Sequence, residues 1–259
     1  MRLSARFPTL LAALLLALSL GGCSTAPERV DGTPEGAVIE AQRDVSSEFD
    51  PGVKHAIDEI HDPWEGMNRG IYQFNTRFDR YVMLPVVDGY RTVMPDYLED
   101  RVSDFMSNVS DIRNLLNSVL QLKPKVALRT FSRLVFNTTF GVLGLWDLAK
   151  HMDLPQQRED FGQTLGHYGV GPGPYLVLPI LGPSSVRDTS GLVVDSAAFS
   201  AIDPLDFDDH EERQIAYTLL NAIDTRKRLA FRYYESGSPF EYELVRSLIT
   251  RARELQIEK

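Results

Sequence analysis

After residue 62, apolar positions recur every three or four residues over most of the chain, the period of helices that are greasy along one side. Met67, Ile71, Phe74 and Phe78 make the first such stripe. Asp62, Pro63 and Glu65 stand where an N-cap, a first helical residue and the third residue of a capping box belong, which predicts a helix that begins at Asp62. Pro85 and Pro95 set off a short segment around Val86–Val93, because each ring removes an amide donor. Leu98, Val102, Phe105, Val109, Ile112, Leu116 and Val119 predict a long amphipathic helix from about Tyr97 to Leu122. Pro124 ends it and opens another, Lys125–Phe136. Ser184–Asp188 caps a helix running to about Phe199 with Val186, Val193 and Val194 inward, and two closing helices take Glu211–Glu235 and Phe240–Gln256. The N-terminal half has no alternating run of strand length, so the expected class is all-α. Helical phase alone does not distinguish a stripe facing a protein core from one facing lipid.

Two segments break this pattern. Glu159–Asp188, EDFGQTLGHYGVGPGPYLVLPILGPSSVRD, holds six of the 18 glycines and four of the 15 prolines. No long helix crosses such a run, and a central strand can hold at most Tyr175–Leu178. Its many apolar and aromatic residues nevertheless require packing against something, with the flanking helices nearest to hand. In Phe140–Ala149, FGVLGLWDLA, Gly141 and Gly144 interrupt an apolar run that carries Leu145 and Trp146. A helix connection tucked into the core fits this pattern; so does a Trp ring at a bilayer interface.

Arg2, Arg6, the apolar run Leu10–Leu20 and Leu20-Gly21-Gly22-Cys23 read as a bacterial secretory leader with a lipobox. Residues 1–22 are then a cleaved leader, 23–61 a lipidated N-terminus and flexible polar linker, and 62–259 one helical domain. Cys23 is the single cysteine, so it carries the acyl anchor and no internal disulfide forms. The formal charge of −9 becomes −11 once Arg2 and Arg6 leave 25 basic residues against 36 acidic ones. That balance argues against nucleic acid as a partner. The five histidines have no metal-ligand spacing, and a G-x-S-x-G elbow is missing. DPLDFDDHEE, residues 203–212, lacks the turn glycine of a calcium loop and reads as a solvated helix start. No cofactor, metal or catalytic residue is expected.

The glycine-rich segment resembles the most recognisable stretch of the MlaA (VacJ) family of outer-membrane lipoproteins. Asp62–Asn75, DPWEGMNRGIYQFN, resembles that family's opening motif. The resemblance implies a ring-like, doughnut arrangement of amphipathic helices embedded in the outer membrane from the periplasmic side, with the Gly/Pro-rich irregular segment joining helices. It further implies a non-enzymatic role in the Mla pathway. Phospholipid misplaced in the outer leaflet passes through an amphipathic channel to a soluble periplasmic lipid carrier (MlaC-like), beside a trimeric porin. Asn68, Arg69, Phe74 and Asn75 become candidates for the lipid path, although capping and surface hydrogen bonding suit the two asparagines equally. Phe140, Gly141, Gly144, Leu145 and Trp146 become a gating hairpin. Asp62, Pro63, Glu65, Gly166, Gly169, Gly171, Gly173, Arg187 and Asp188 carry the structural motif. The alternatives are an envelope scaffold that binds porins without passing lipid, and a membrane-bound lipid hydrolase using His167 or Ser184.

Overall fold

The computed structural model describes residues 60–258 except 209, 230 and 234–239; the expected leader, Cys23 and the expected linker as far as residue 59 lie outside the described residues. Helix α1 (Glu65–Phe78) runs through a π turn (Asp79–Met83) into α2 (Leu84–Val93), followed by α3 (Asp96–Leu120) and α4 (Pro124–Thr139). A 3-10 turn (Ala149–Met152) and α5 (Phe161–His167) lead to a hairpin of β1 (Tyr175–Leu178) and β2 (Gly182–Ser185). Helices α6 (Val186–Ile202), α7 (Glu211–Arg228) and α8 (Glu241–Ile257) complete the chain. The fold is mostly helical, with the one permitted strand paired antiparallel, Tyr175 opposite Ser185 and Leu178 opposite Gly182.

Some expected boundaries are corrected. Helix α1 starts at Glu65 with Trp64 at its N-cap and no side-chain cap, so Asp62, Pro63 and Glu65 do not form a capping box. The Asp62 carboxylate instead accepts from Asn68 Nδ2 at 2.7 Å, Tyr242 Oη at 2.6 Å and Arg246 Nη1 at 3.1 Å. It joins the entry of α1 to α8. Pro85 does not break the chain, because it falls at the seam between the π turn and α2, where the regular hydrogen-bond ladder is already interrupted. Helix α7 ends at Arg228, short of Glu235. The expected cap of α6 is present: Ser185 Oγ accepts from the Asp188 amide at 3.1 Å.

The larger correction concerns which face turns inward. Of the described residues, nine apolar residues are buried against 23 polar or charged ones. In α1 the buried residues are Asn68, Tyr72, Asn75 and Thr76, whereas Met67 and Phe74 are each 49% exposed. In α3 the inner face is Glu99, Met106, Asn108, Val109, Asp111, Asn114, Asn117 and Ser118. Leu98, Leu116 and Val119 of its apolar stripe lie outside, and so do Val186, Val193 and Val194 of α6. Exposed apolar faces on successive helices mark an interaction surface rather than a solvated one. The apolar core is small: Tyr72, Tyr175, Val177, Tyr242 and Val245, where α1, the hairpin and α8 meet. The Tyr242 ring packs edge-on against Tyr72 and Tyr175, with the Arg69 guanidinium 4.4 Å from its centroid.

Helices α5 and α6 touch backbone to backbone. A Cβ on Gly191 would lie 2.3 Å from the Gly162 nitrogen and 2.7 Å from its Cα. Gly191→Ala therefore forces the pair apart and is expected to cost about 1–3 kcal/mol, read as a lower melting temperature of the detergent-solubilised protein. Gly70→Ala, with nothing within 4 Å of the added methyl, should instead raise stability by up to about 1 kcal/mol.

Candidate functional site

The polar interior is built where α3 and α4 face each other and the segment after α4 folds back over them. Arg133 is 1% exposed. Its Nε donates to Asp111 at 3.0 Å, Nη2 to Asp147 at 3.0 Å and Nη1 to the Leu154 carbonyl at 2.5 Å. Asn114 and Gln156 each donate to Asp111 at 2.9 Å. Asn137 donates to Asp147 and accepts from the Ala149 amide. Burial pushes the Asp111 carboxyl above its ordinary value despite these donors. Burial also works against the charge on Asp147, but Arg133 and Asn137 outweigh it and hold that carboxyl low. Further along, Gln121 donates to Glu159 at 2.9 Å, Thr164 to Asn117 at 2.8 Å, and Asn117 to Asp195 at 2.8 Å. The network thus links α3, α4, α5 and α6 through side chains alone.

Asn68 and Asn75 are buried, not surface caps. Asn68 Nδ2 donates to the Tyr175 carbonyl at 3.1 Å, and its Oδ1 accepts from the Val177 amide at 2.9 Å. Asn75 repeats the pattern with the Leu178 carbonyl at 2.9 Å and the Ile180 amide at 2.7 Å. Seven residues of helix advance about 10.5 Å and three residues of strand about 10 Å, so the two amides stand in for a neighbouring strand along the open edge of β1. Of the other lipid-path candidates, Arg69 reaches Glu65 at 2.7 Å and also Glu243. Phe74 lies outside and stacks on Phe78 at 6.1 Å.

The segment after α4 presents Phe140, Val142, Leu143, Leu145 and Trp146 outward, so it is not a connection hidden in the core. Its backbone is fastened from beneath. Gly144 donates to the Asn137 carbonyl at 2.9 Å and Trp146 to that of Gly141 at 3.0 Å, while Arg101 Nη1 holds the Leu145 carbonyl at 3.0 Å. Gly144 has φ +92°, and a Cβ there would strike the Asn108 side chain at 2.5 Å; Gly141 is likewise closely packed. These glycines are close-approach positions. Val142, Leu143, Leu122 and Ile180 have positive φ although they are not glycines, and all four are exposed. Such backbone costs about 1–3 kcal/mol per residue and here turns apolar side chains outward. No residue type in the sequence signals it, since glycine is the expected occupant.

Between the Gly/Pro run, the hairpin, the start of α6 and the second half of α8 lies a cavity of about 660 Å³. Its wall mixes Leu178, Leu181, Leu192 and Ile249 with Asp160, Asp188, Arg187, Arg253 and Arg113. Arg253 pairs with Asp160 at 2.5 Å and Asp188 at 3.1 Å. Arg187 reaches Asp188 at 3.0 Å and the Val170 carbonyl at 3.3 Å. Gly173 lines the cavity, and Gly166 lies against Arg187 and Ile257, whereas a Cβ on Gly169 or Gly171 would meet nothing within 4 Å. Arg113 and the role of Asp62 were missed by sequence reasoning: single charged residues on a helix face carry no signal. His167 packs against Tyr168, and the Ser184 hydroxyl pairs with Thr189. Within the described residues no His, Cys, Asp and Glu side chains cluster as metal ligands, and no helix is long and apolar enough to cross a membrane.

Comparison with known proteins agrees with this architecture. The family described as MlaA lipoprotein matches residues 60–256. An uncharacterized protein of Rickettsia felis is 37% identical over 202 residues, 77% of this chain and 79% of the relative. The intermembrane phospholipid transport system lipoprotein MlaA of Escherichia coli K12 is 38% identical over 138 residues, 52% of this chain and 55% of that protein. A solved structure, from work on the structural basis for maintenance of bacterial outer membrane lipid asymmetry, superposes with a TM-score of 0.64 at 30% identity. It covers 76% of this chain and 98% of its own.

Arg133→Met leaves the buried Asp111 and the partly buried Asp147 without their cation and is expected to cost about 3–5 kcal/mol, measured by denaturant unfolding. Around the cavity, burial raises the Asp160 carboxyl, but Arg253 and Gln163 outweigh it and the folded value lies below the ordinary 3.8. The stabilisation is therefore present above 3.8 and lost as the pH falls through the depressed value. Asp160→Asn, which retains an oxygen for the Gln163 amide, should melt below wild type at neutral pH. The gap should close at acid pH, as melting curves across a pH series will report.

Proposed function

This chain belongs to the MlaA lipoprotein family, and from that premise we propose that it removes phospholipid from the outer leaflet of the outer membrane. It passes the lipid through an amphipathic channel to a soluble periplasmic carrier, without chemical turnover. The observation that carries this reading is the reversal of faces: polar side chains of α1, α3 and α4 turn inward while much of their apolar surface, Met67, Phe74, Leu98, Leu116, Val119, Phe131 and Val135, turns outward. A phospholipid has an ionic head and two greasy tails, and a conduit for it needs a wetted path inside a body that hydrocarbon tolerates. Helices arranged as a ring satisfy both demands, each keeping its backbone bonds internal. The acylated Cys23 tethers the protein, and the outward stripes seat it in the periplasmic leaflet beside a trimeric porin. Phe140, Leu145 and Trp146 guard the entrance, held in place through Gly141 and Gly144. Directionality comes from the carrier, since no bond is made or broken.

A scaffold that only grips porins would use the same outer stripes but would leave the amphipathic cavity without a role. Deleting the gene should let phospholipid accumulate in the outer leaflet, scored by surface-lipid labelling and detergent sensitivity; unchanged labelling counts against transport. Leu145→Lys is expected to reproduce much of that defect while shifting the melting temperature little, because the side chain is already 36% exposed. A large fall in melting temperature would instead make Leu145 a packing residue.

A further inference from the structure

We propose that Arg113 is the phosphate-binding residue of the 660 Å³ cavity, which takes the phosphodiester of a glycerophospholipid while its tails leave over Leu181, Leu192 and Ile249. The inference rests on the transport reading above and adds the recognition chemistry. Four arginines line the cavity. Arg187 and Arg253 are paired with Asp188 and Asp160, and Arg251 reaches Glu254 at 3.1 Å. Among the described residues Arg113 has no carboxylate within ion-pair distance, and its Nε is buried with no hydrogen-bond partner. Asp195, the acidic group whose charge it feels, is committed elsewhere: one oxygen accepts from Asn117 Nδ2 at 2.8 Å and the other from the Phe161 amide at 2.9 Å.

A guanidinium with donors to spare, on the wall of a cavity whose carboxylates already accept from other arginines or, for Asp195, from Asn117 and the Phe161 amide, is suited to a phosphate oxygen pair. The volume lies within the roughly 300–1,000 Å³ range of small-ligand sites. The lip decides between a lipid and a soluble anion. Leu181 is 68% exposed, Ile249 43% and Leu192 38%, and only a ligand with apolar tails covers them. One unpaired cation reads the phosphate and not the alcohol esterified to it, so the site should accept ethanolamine and glycerol headgroups alike.

The test uses the full-length lipoprotein purified in detergent, with phospholipid carried through purification counted by mass spectrometry. Binding of dihexanoylphosphatidylglycerol is measured alongside dihexanoylglycerol, glycerophosphoglycerol and inorganic phosphate. Wild type should carry phospholipid, Arg113→Gln about tenfold less, and Arg113→Lys an intermediate amount. Only the probe with both phosphate and tails should bind tightly. Wild type loaded with lipid and an equally loaded Arg113→Gln would overturn the assignment and leave transport standing; wild type empty of lipid would sink both. Displacement by glycerophosphoglycerol or inorganic phosphate alone would mark a soluble-phosphate site and overturn the lipid assignment. Should Arg113→Gln unfold, the wild-type comparison decides: dihexanoylglycerol binding as tightly as dihexanoylphosphatidylglycerol refutes a phosphate contact.

Discussion

The Arg133 guanidinium sits between α3 and α4 with Asp111 on one side and Asp147 on the other. A charge taken out of water costs several kcal/mol unless neighbours replace its hydration, and much of the surrounding structure supplies that replacement. Asn114 and Gln156 complete the Asp111 carboxylate, Asn137 completes Asp147, and the Leu154 carbonyl takes the last guanidinium edge. The chain after α4 has to return across the helix pair to deliver Asp147, Leu154 and Gln156. That return path places the apolar loop 140–146 at the surface and leads into α5, so one buried ion cluster sets the course of the chain from the end of α4 to α5.

A fold with so polar an interior cannot rely on a hydrophobic core for most of its stability, because the apolar area is spread over the outside. That area contributes fully only when something apolar covers it. Directed polar contacts take over the task of specifying the structure: the paired asparagines of α1 fix the hairpin, and Asp62 and Asp160 each bind α8 by an arginine. Such contacts are short in range and exact in geometry, so they tolerate little substitution. The strained apolar loops fit the same picture, since their backbone cost is offset only where the exposed side chains find a partner.

Much of the helical architecture was legible in the chain. The apolar period located α1, α3, α4, α6 and α8, and the glycine and proline content left Tyr175–Leu178 as the one run open to a central strand, where β1 lies; its partner β2, with Pro183 inside it, had no such signal. The site was legible only in outline. Asn68 and Asn75 stood out by their spacing, yet their partners lie more than 100 positions away and no local pattern announces a strand edge. Arg113 was invisible for a related reason: an arginine on an amphipathic helix is ordinary until its neighbours are known to be occupied. The capping box at Asp62 misled because a good cap is also a good acceptor for Tyr242 and Arg246, and the tertiary contact won.

The sequence by itself determined the period of each helix, the places where glycine and proline forbid one, and the membership of two unusual motifs in a lipoprotein family. These are local properties, set by backbone sterics and by the neighbours three or four residues away. Only the tertiary structure decided which side of each helix turns inward, because a periodic stripe has the same phase whether oil lies inside the protein or around it. The polar residues settled that choice collectively, by finding one another across α3, α4, α5 and α6.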